Sequence, residues 1–82
     1  MRPDEIARLL NDRVFTPFRV HLSSGESHDV RDPREALLSR RTLALALRTG
    51  QGNGFPEAVL LVSLPHITSL EPLPAQRGRK GA

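Results

Sequence analysis

Between Phe18 and Leu70 the apolar residues of this chain come in bursts of no more than five, and Gly or Pro separates most bursts from the next. Five residues span roughly 17 Å as a strand but make little more than one turn of helix, too little to bury an apolar stripe. Short strands are therefore the regular structure these bursts can complete. With 82 residues in total, the chain allows one small domain and no second core.

The first eighteen residues differ. Pro3 suits a first helical position, Asp4 and Glu5 favour the positive end of a helix dipole, and Arg13 favours the negative end. Ile6, Leu9 and Leu10 then share one face, so the pattern predicts an amphipathic helix over 3–13 that must dock on something, since three turns are marginal alone.

Phe18, Val20 and Leu22 alternate with Arg19, His21 and Ser23, the period of a half-buried strand. A loop of Ser24, Gly25 and Glu26 to a second strand over 27–31 pairs Val20 with Val30 and Leu22 with His28. It also sets His21 opposite Asp29 and Arg19 opposite Arg31. A shorter loop would put Asp29 on the core face, at the cost of burying a carboxylate. Asp32, Pro33 and Glu35 then read as the cap and first residues of a single helical or 3₁₀ turn reaching Leu38. A third strand covers 42–48, with Leu43, Leu45 and Leu47 on one face and Ala44 and Ala46 on the other. The Gly-rich stretch 49–54 is a surface connection to a fourth strand over 56–63. That strand is apolar at every position from Ala58 to Val62, which predicts cover on both faces. Leu64, Pro65 and His66 interrupt, and a fifth strand runs over 67–71. The fold class predicted is mainly β with one N-terminal helix, its five short strands forming a strongly bent antiparallel sheet that closes as a small barrel. The domain spans 1–74, and 75–82 is a disordered basic tail.

The order helix, strand, Gly turn, bent strand, strand, strand, 3₁₀ break, strand resembles the Sm-like (SH3-type) barrel. Leu22-Ser23-Ser24-Gly25 is similar to the opening of the Sm motif, and His66-Ile67-Thr68-Ser69-Leu70 to its closing strand. More narrowly, Pro17-Phe18-Arg19-Val20-His21-Leu22, Gly25, Asp29-Val30, Pro33, His66-Ile67-Thr68 and Glu71-Pro72-Leu73 look like a set of short bacterial proteins with no assigned activity. That likeness covers about residues 3–73. Comparable members tend to carry an aromatic where this chain has His28. The uridine-binding pattern of Sm rings, Asp-x-x-Met-Asn, is not matched by Asp32-Pro33-Arg34-Glu35-Ala36, nor their Arg-Gly by Leu64-Pro65-His66.

Charge narrows the function classes. Residues 1–74 carry nine basic and nine acidic side chains, and the formal +3 comes from Arg77, Arg79 and Lys80. There is no Cys, which excludes disulfides, thiolate metal sites and a Cys nucleophile. No apolar run nears the ~20 residues of a membrane span, so a cytoplasmic protein is expected.

His21 with Asp29 offers the orienting half of a catalytic dyad, with Ser23 and Ser27 on the same face, but an exposed cross-strand pair is the simpler reading. His21 and His28 point to opposite faces and His66 lies in the break, so the three histidines make no metal set, and His66 reads as a turn cap bonded to backbone. The glycines at 50, 52 and 54 precede Pro56 and a strand rather than a helix, so they cradle no nucleotide. Phe15 and Phe18 read as core, which leaves Phe55 as the one exposed ring for base stacking. Arg19 and Arg31, set opposite each other, need an anion between them, and Asp12, Asp29 or Glu35 can supply it.

No catalytic, metal or cofactor residue is assigned, and the chain reads as a non-enzymatic interaction module. It would self-associate as a homo-oligomer or dock on a protein partner through Ala44, Ala46, Val59 and Leu61. The alternative is an Sm-like nucleic-acid binder whose anion contacts are Arg40, Arg41, Arg77, Arg79 and Lys80.

Overall fold

A computed structural model describes residues 1–47 and 56–74 of the chain. The Gly-rich connection with Phe55, the last residue of the expected third strand, and the basic tail with Arg77, Arg79 and Lys80 lie outside the described residues. Helix α1 (Pro3–Leu10) is followed by β1 (Phe18–Leu22), β2 (Ser27–Val30), a 3₁₀ turn (Pro33–Glu35), β3 (Ala36–Leu38), β4 (Thr42–Leu47), β5 (Ala58–Ser63), a second 3₁₀ turn (Leu64–His66) and β6 (Ile67–Pro72). The chain is thus mainly β with one N-terminal helix. No helix among the described residues is long and apolar enough to cross a membrane.

Six strands replace the five expected, and they form two antiparallel sheets of three, ordered β2-β1-β6 and β3-β4-β5, rather than one five-stranded bent sheet. No ladder joins the two sheets among the described residues. The extra strand is β3. Asp32 caps the 3₁₀ turn by accepting the Arg34 amide at 2.8 Å, and the turn ends at Glu35 rather than running on to Leu38. Ala36, Leu37 and Leu38 then pair with Leu45, Ala44 and Leu43. Three apolar residues gain more from a neighbouring ladder than from a second turn that would leave their amides in water. The two arginines of the Ser39–Thr42 connection need no positive φ, and the Ser39 hydroxyl braces the turn by bonding both the amide and the carbonyl of Thr42 at 3.1 Å.

The first hairpin keeps a three-residue loop but places it one residue earlier, at Ser23, Ser24 and Gly25. Gly25 has φ +96°, the left-handed conformation that closes a three-residue turn, so Gly must be last in the loop and not in its middle. Its amide donates to the Leu22 carbonyl at 3.0 Å, and the Leu22 amide donates to Glu26 at 2.9 Å. Phe18 therefore pairs with Val30 and Val20 with His28, not Val20 with Val30. The slip is two residues, an even number, so every side chain stays on its expected face.

The inner faces share one core. Phe18, Val20 and Val30 from the first sheet meet Leu43, Leu45 and Val62 from the second, with Leu64 and Ile67 beside them. Ile6 is fully buried in the same cluster, and α1, which packs against β3, also contributes the half-buried Leu9 and Leu10. The helix is shorter than expected: the Asn11 amide makes its last bond, to Ala7 at 2.9 Å, and Asp12 turns the chain by accepting from the Val14 amide. On β6 a bulge opposite His21 and Leu22 leaves Thr68 unpaired in the ladder, and its hydroxyl donates to the His21 carbonyl at 3.1 Å.

Two substitutions test this core. Phe18→Ala should destabilise by about 3–5 kcal/mol in urea unfolding, because the ring is wholly buried and the sheets cannot collapse onto the void. Gly25→Ala should cost about 1–2 kcal/mol from backbone strain alone, since an added Cβ meets nothing within 4 Å.

Candidate interaction surface

Strand alternation gives each sheet one outer face, and the two faces carry opposite chemistry. On the first sheet the outward positions are Arg19 and His21 of β1, Ser27 and Asp29 of β2, and Ser69 and Glu71 of β6. Arg19 lies between Asp29 on one side and Glu71 on the other. Its Nε donates to Asp29 Oδ1 at 2.6 Å and its terminal nitrogen to Oδ2 at 3.3 Å. Arg31 reaches the same carboxylate at 3.0 Å. Arg31 does not face Arg19, as the expected register had it, but Asp29 is indeed the anion between them. The Arg19 hydrogen bond holds the Asp29 carboxyl below the usual carboxylate range, with Arg31 assisting against partial desolvation. Reciprocally, the bond to Asp29 raises the Arg19 guanidinium, and Glu71 adds a smaller share. Arg34 is raised in the same way by its forked bond to Asp32.

His21 is not opposite Asp29; it lies across from Ser27, and its Nε2 donates to Glu71 Oε1 at 2.8 Å. The two-residue slip in register moved the aspartate to Arg19. His28 points inward opposite Val20, and its buried Nε2 has no hydrogen-bond partner, with Glu26 Oε1 3.7 Å away. It borders a cleft of about 610 Å³ together with Arg19, Asp29, Arg31, Glu35 and Leu47. His66 does not cap backbone through its ring. Its Nδ1 shares a 3.3 Å hydrogen bond with the Ser23 hydroxyl, while its carbonyl accepts the Ser23 amide at 2.8 Å. Together these bonds tie the first hairpin to the second 3₁₀ turn. No group of three or more His, Asp or Glu among the described residues is placed to hold a metal ion.

The second sheet turns an uncharged face to solvent. Leu37, Ala44 and Leu61 form one row across β3, β4 and β5, and Ala46 with Val59 forms the next. Leu37 is 75% exposed, Leu61 70% and Val59 60%, while the two alanines are half-buried. The four residues expected as an association surface, Ala44, Ala46, Val59 and Leu61, are thus brought together. The expected cover on both faces of β5 is absent within the described chain, because α1 packs against β3 and the core instead of over this strip. The sequence pattern alone does not find Leu37, because the residues after Pro33 read as a turn. The signal available was its place between Ala36 and Leu38, whose alternation turns the middle residue outward. Arg40 and Arg41 stand apart at the exposed tip of the β3–β4 connection.

No protein-family model, curated protein or solved structure matches the chain.

The ion-paired face yields a pH test. The Asp29 carboxyl is depressed in the folded state, so its contribution is present above the unfolded value and lost as pH falls through the folded one. Asp29→Asn should be less stable than the parent at pH 7, and the two urea midpoints should converge as pH drops below about 4. A difference that persists at pH 2 would show that Asp29 acts through something other than its charge.

Proposed function

We propose that the chain is a small non-enzymatic interaction module that associates through the outer face of β3-β4-β5, with a second copy or another protein covering it. The observation that carries this reading is the clustering of three large exposed apolar side chains, Leu37, Val59 and Leu61, on one face. Single exposed apolar residues are ordinary, as Val14 is, but a contiguous patch on so small a domain is the usual mark of an interaction site. The opposite sheet supplies the contrast, since its outer face is filled by matched charges. The order of elements, the Gly-closed hairpin and the 3₁₀ turn before the last strand support an Sm-like (SH3-type) small barrel as the parent architecture, related to the short bacterial proteins named above.

A nucleic-acid contact is the second reading, favoured by one observation. Arg2, Arg19, Arg31 and Arg34 all have carboxylate partners, whereas Arg40 and Arg41, like Arg8 and Arg13, form no ion pair among the described residues, and these two are adjacent and exposed. Salt-dependent retardation of labelled RNA that is lost in Arg40→Glu/Arg41→Glu would establish it. No binding at about 50 mM salt would remove it.

Light scattering tests the association reading. The chain should have a mass that is a multiple of 9.1 kDa. The Leu37→Glu/Leu61→Glu variant, with two charges in the patch, should return to the single-chain value. A single-chain mass for the parent up to about 1 mM, where an affinity of only about 4 kcal/mol would register, overturns self-association.

A further inference from the structure

Two sheets of three strands have four edges, and three of them are guarded. β2 is four residues long and carries Asp29 with its two arginines. β6 carries Glu71, ends at Pro72 and is bulged at Thr68. β3 has three residues, packs against α1 and runs into Arg40 and Arg41. These are the devices by which sheets keep their edges from pairing with other chains. Among the described residues, β5 has none of them within the strand itself, Glu57 being the nearest charge before it. Ala58-Val59-Leu60-Leu61-Val62-Ser63 holds no charge and no Pro, and its register with β4 is unbroken.

The backbone phase of this edge follows from one bond. The Leu64 amide donates to Arg41 at 2.9 Å, and hydrogen-bonded pairs alternate along an antiparallel ladder. Val62 and Leu60 therefore bond to β4, while the amides and carbonyls of Val59, Leu61 and Ser63 turn to the open edge. A shallow groove of about 260 Å³ lies beside it, with Leu22, Ser23, Ser24 and His66 on its far side.

We propose that two copies of this chain pair their β5 strands antiparallel about Leu61, joining two β3-β4-β5 sheets into one of six strands. The proposal rests on the reading of this sheet as an association surface, and it names the partner and the register. Self-complementarity argues for a second copy. The outward groups sit at 59, 61 and 63, so a two-fold axis through Leu61 sets Val59 opposite Ser63 of the other copy and matches donors to acceptors at every position. Because β5 is uncharged, no like charges meet across the axis. The Leu61 side chains come to lie side by side on the outer face, and each partly covers the other. A two-fold contact also closes on itself, which consumes both unguarded edges and leaves only guarded ones. Pairing of β5 with the β6 edge of another copy would instead meet Glu71, Pro72 and the bulge.

The experiment uses the full chain, made by chemical synthesis with an N-methyl group on Leu61. The methyl removes one outward amide donor per copy and leaves the side chain in place. The parent should be a dimer of the 9.1 kDa chain, and the N-methyl form should dissociate at least about tenfold more readily while keeping the parent's circular dichroism. Register is read separately in this cysteine-free chain. An oxidised mixture of Val59→Cys and Ser63→Cys should give the mixed disulfide, because paired Cα atoms stand roughly 5.5 Å apart, within disulfide reach. Either variant alone should stay monomeric on a denaturing gel, since like positions lie about 14 Å apart along the strands. An N-methyl form as tightly associated as the parent overturns the proposal. If Leu37→Glu/Leu61→Glu is then monomeric, association by the outer face stands without the edge. A single-chain mass for the parent sinks both, and filaments or a Val59→Cys homodisulfide overturn the two-fold register.

Discussion

The structure depends on the complete burial of Phe18 and Val20 in the central strand β1. β1 is paired on both sides, by β2 and β6, and its two fully buried side chains meet the inward residues of the second sheet. Burying one such side chain is worth roughly 1.5–3 kcal/mol, and a domain of this size has few to spend. Every other placement follows from that anchorage. With Phe18 and Val20 turned inward, Arg19 and His21 must face water, and their neighbours on β2 and β6 must be chosen to satisfy them. Asp29 and Glu71 do so. The Thr68 bulge lets β6 follow the curve of β1 without leaving the His21 carbonyl unsatisfied.

The same anchorage explains why the second sheet differs. Leu43 and Leu45 of β4 are drawn into the core by Phe18 and Ile6, which turns Ala44 and Ala46 outward. Small residues at the centre of that outer face leave the flanking Leu37, Leu61 and Val59 standing proud. These three side chains lie outside the buried core cluster and are largely exposed. Their apolar character is what the proposed association would use. The outer face of the ion-paired sheet, by contrast, is matched within itself: two arginines share Asp29, and His21 has Glu71.

Legibility in the sequence varied with the range of the interaction. The alternation of Phe18-Arg19-Val20-His21 was enough to assign faces, because side-chain direction in a strand has period two whatever the strand pairs with. Ala44, Ala46, Val59 and Leu61 could be grouped for the same reason. Partner identity was not readable. The loop of the first hairpin shifted by one residue because Gly25 takes the closing position, and that exchanged His21–Asp29 for Arg19–Asp29. Leu37 was hidden because three residues are too few to show a period, and only the ladder offered by β4 made them a strand.

Composition and period alone determined that this chain is mainly β with one N-terminal helix and breaks at Gly25, Pro33 and Pro65, because those features depend on each residue's own covalent geometry and on its nearest neighbours. Tertiary structure decided the division into two sheets, the carboxylates that Arg19 and His21 meet, and the exposure of one face of β5. These are set by which distant segments compete for the same buried volume, and no local pattern records the outcome of that competition.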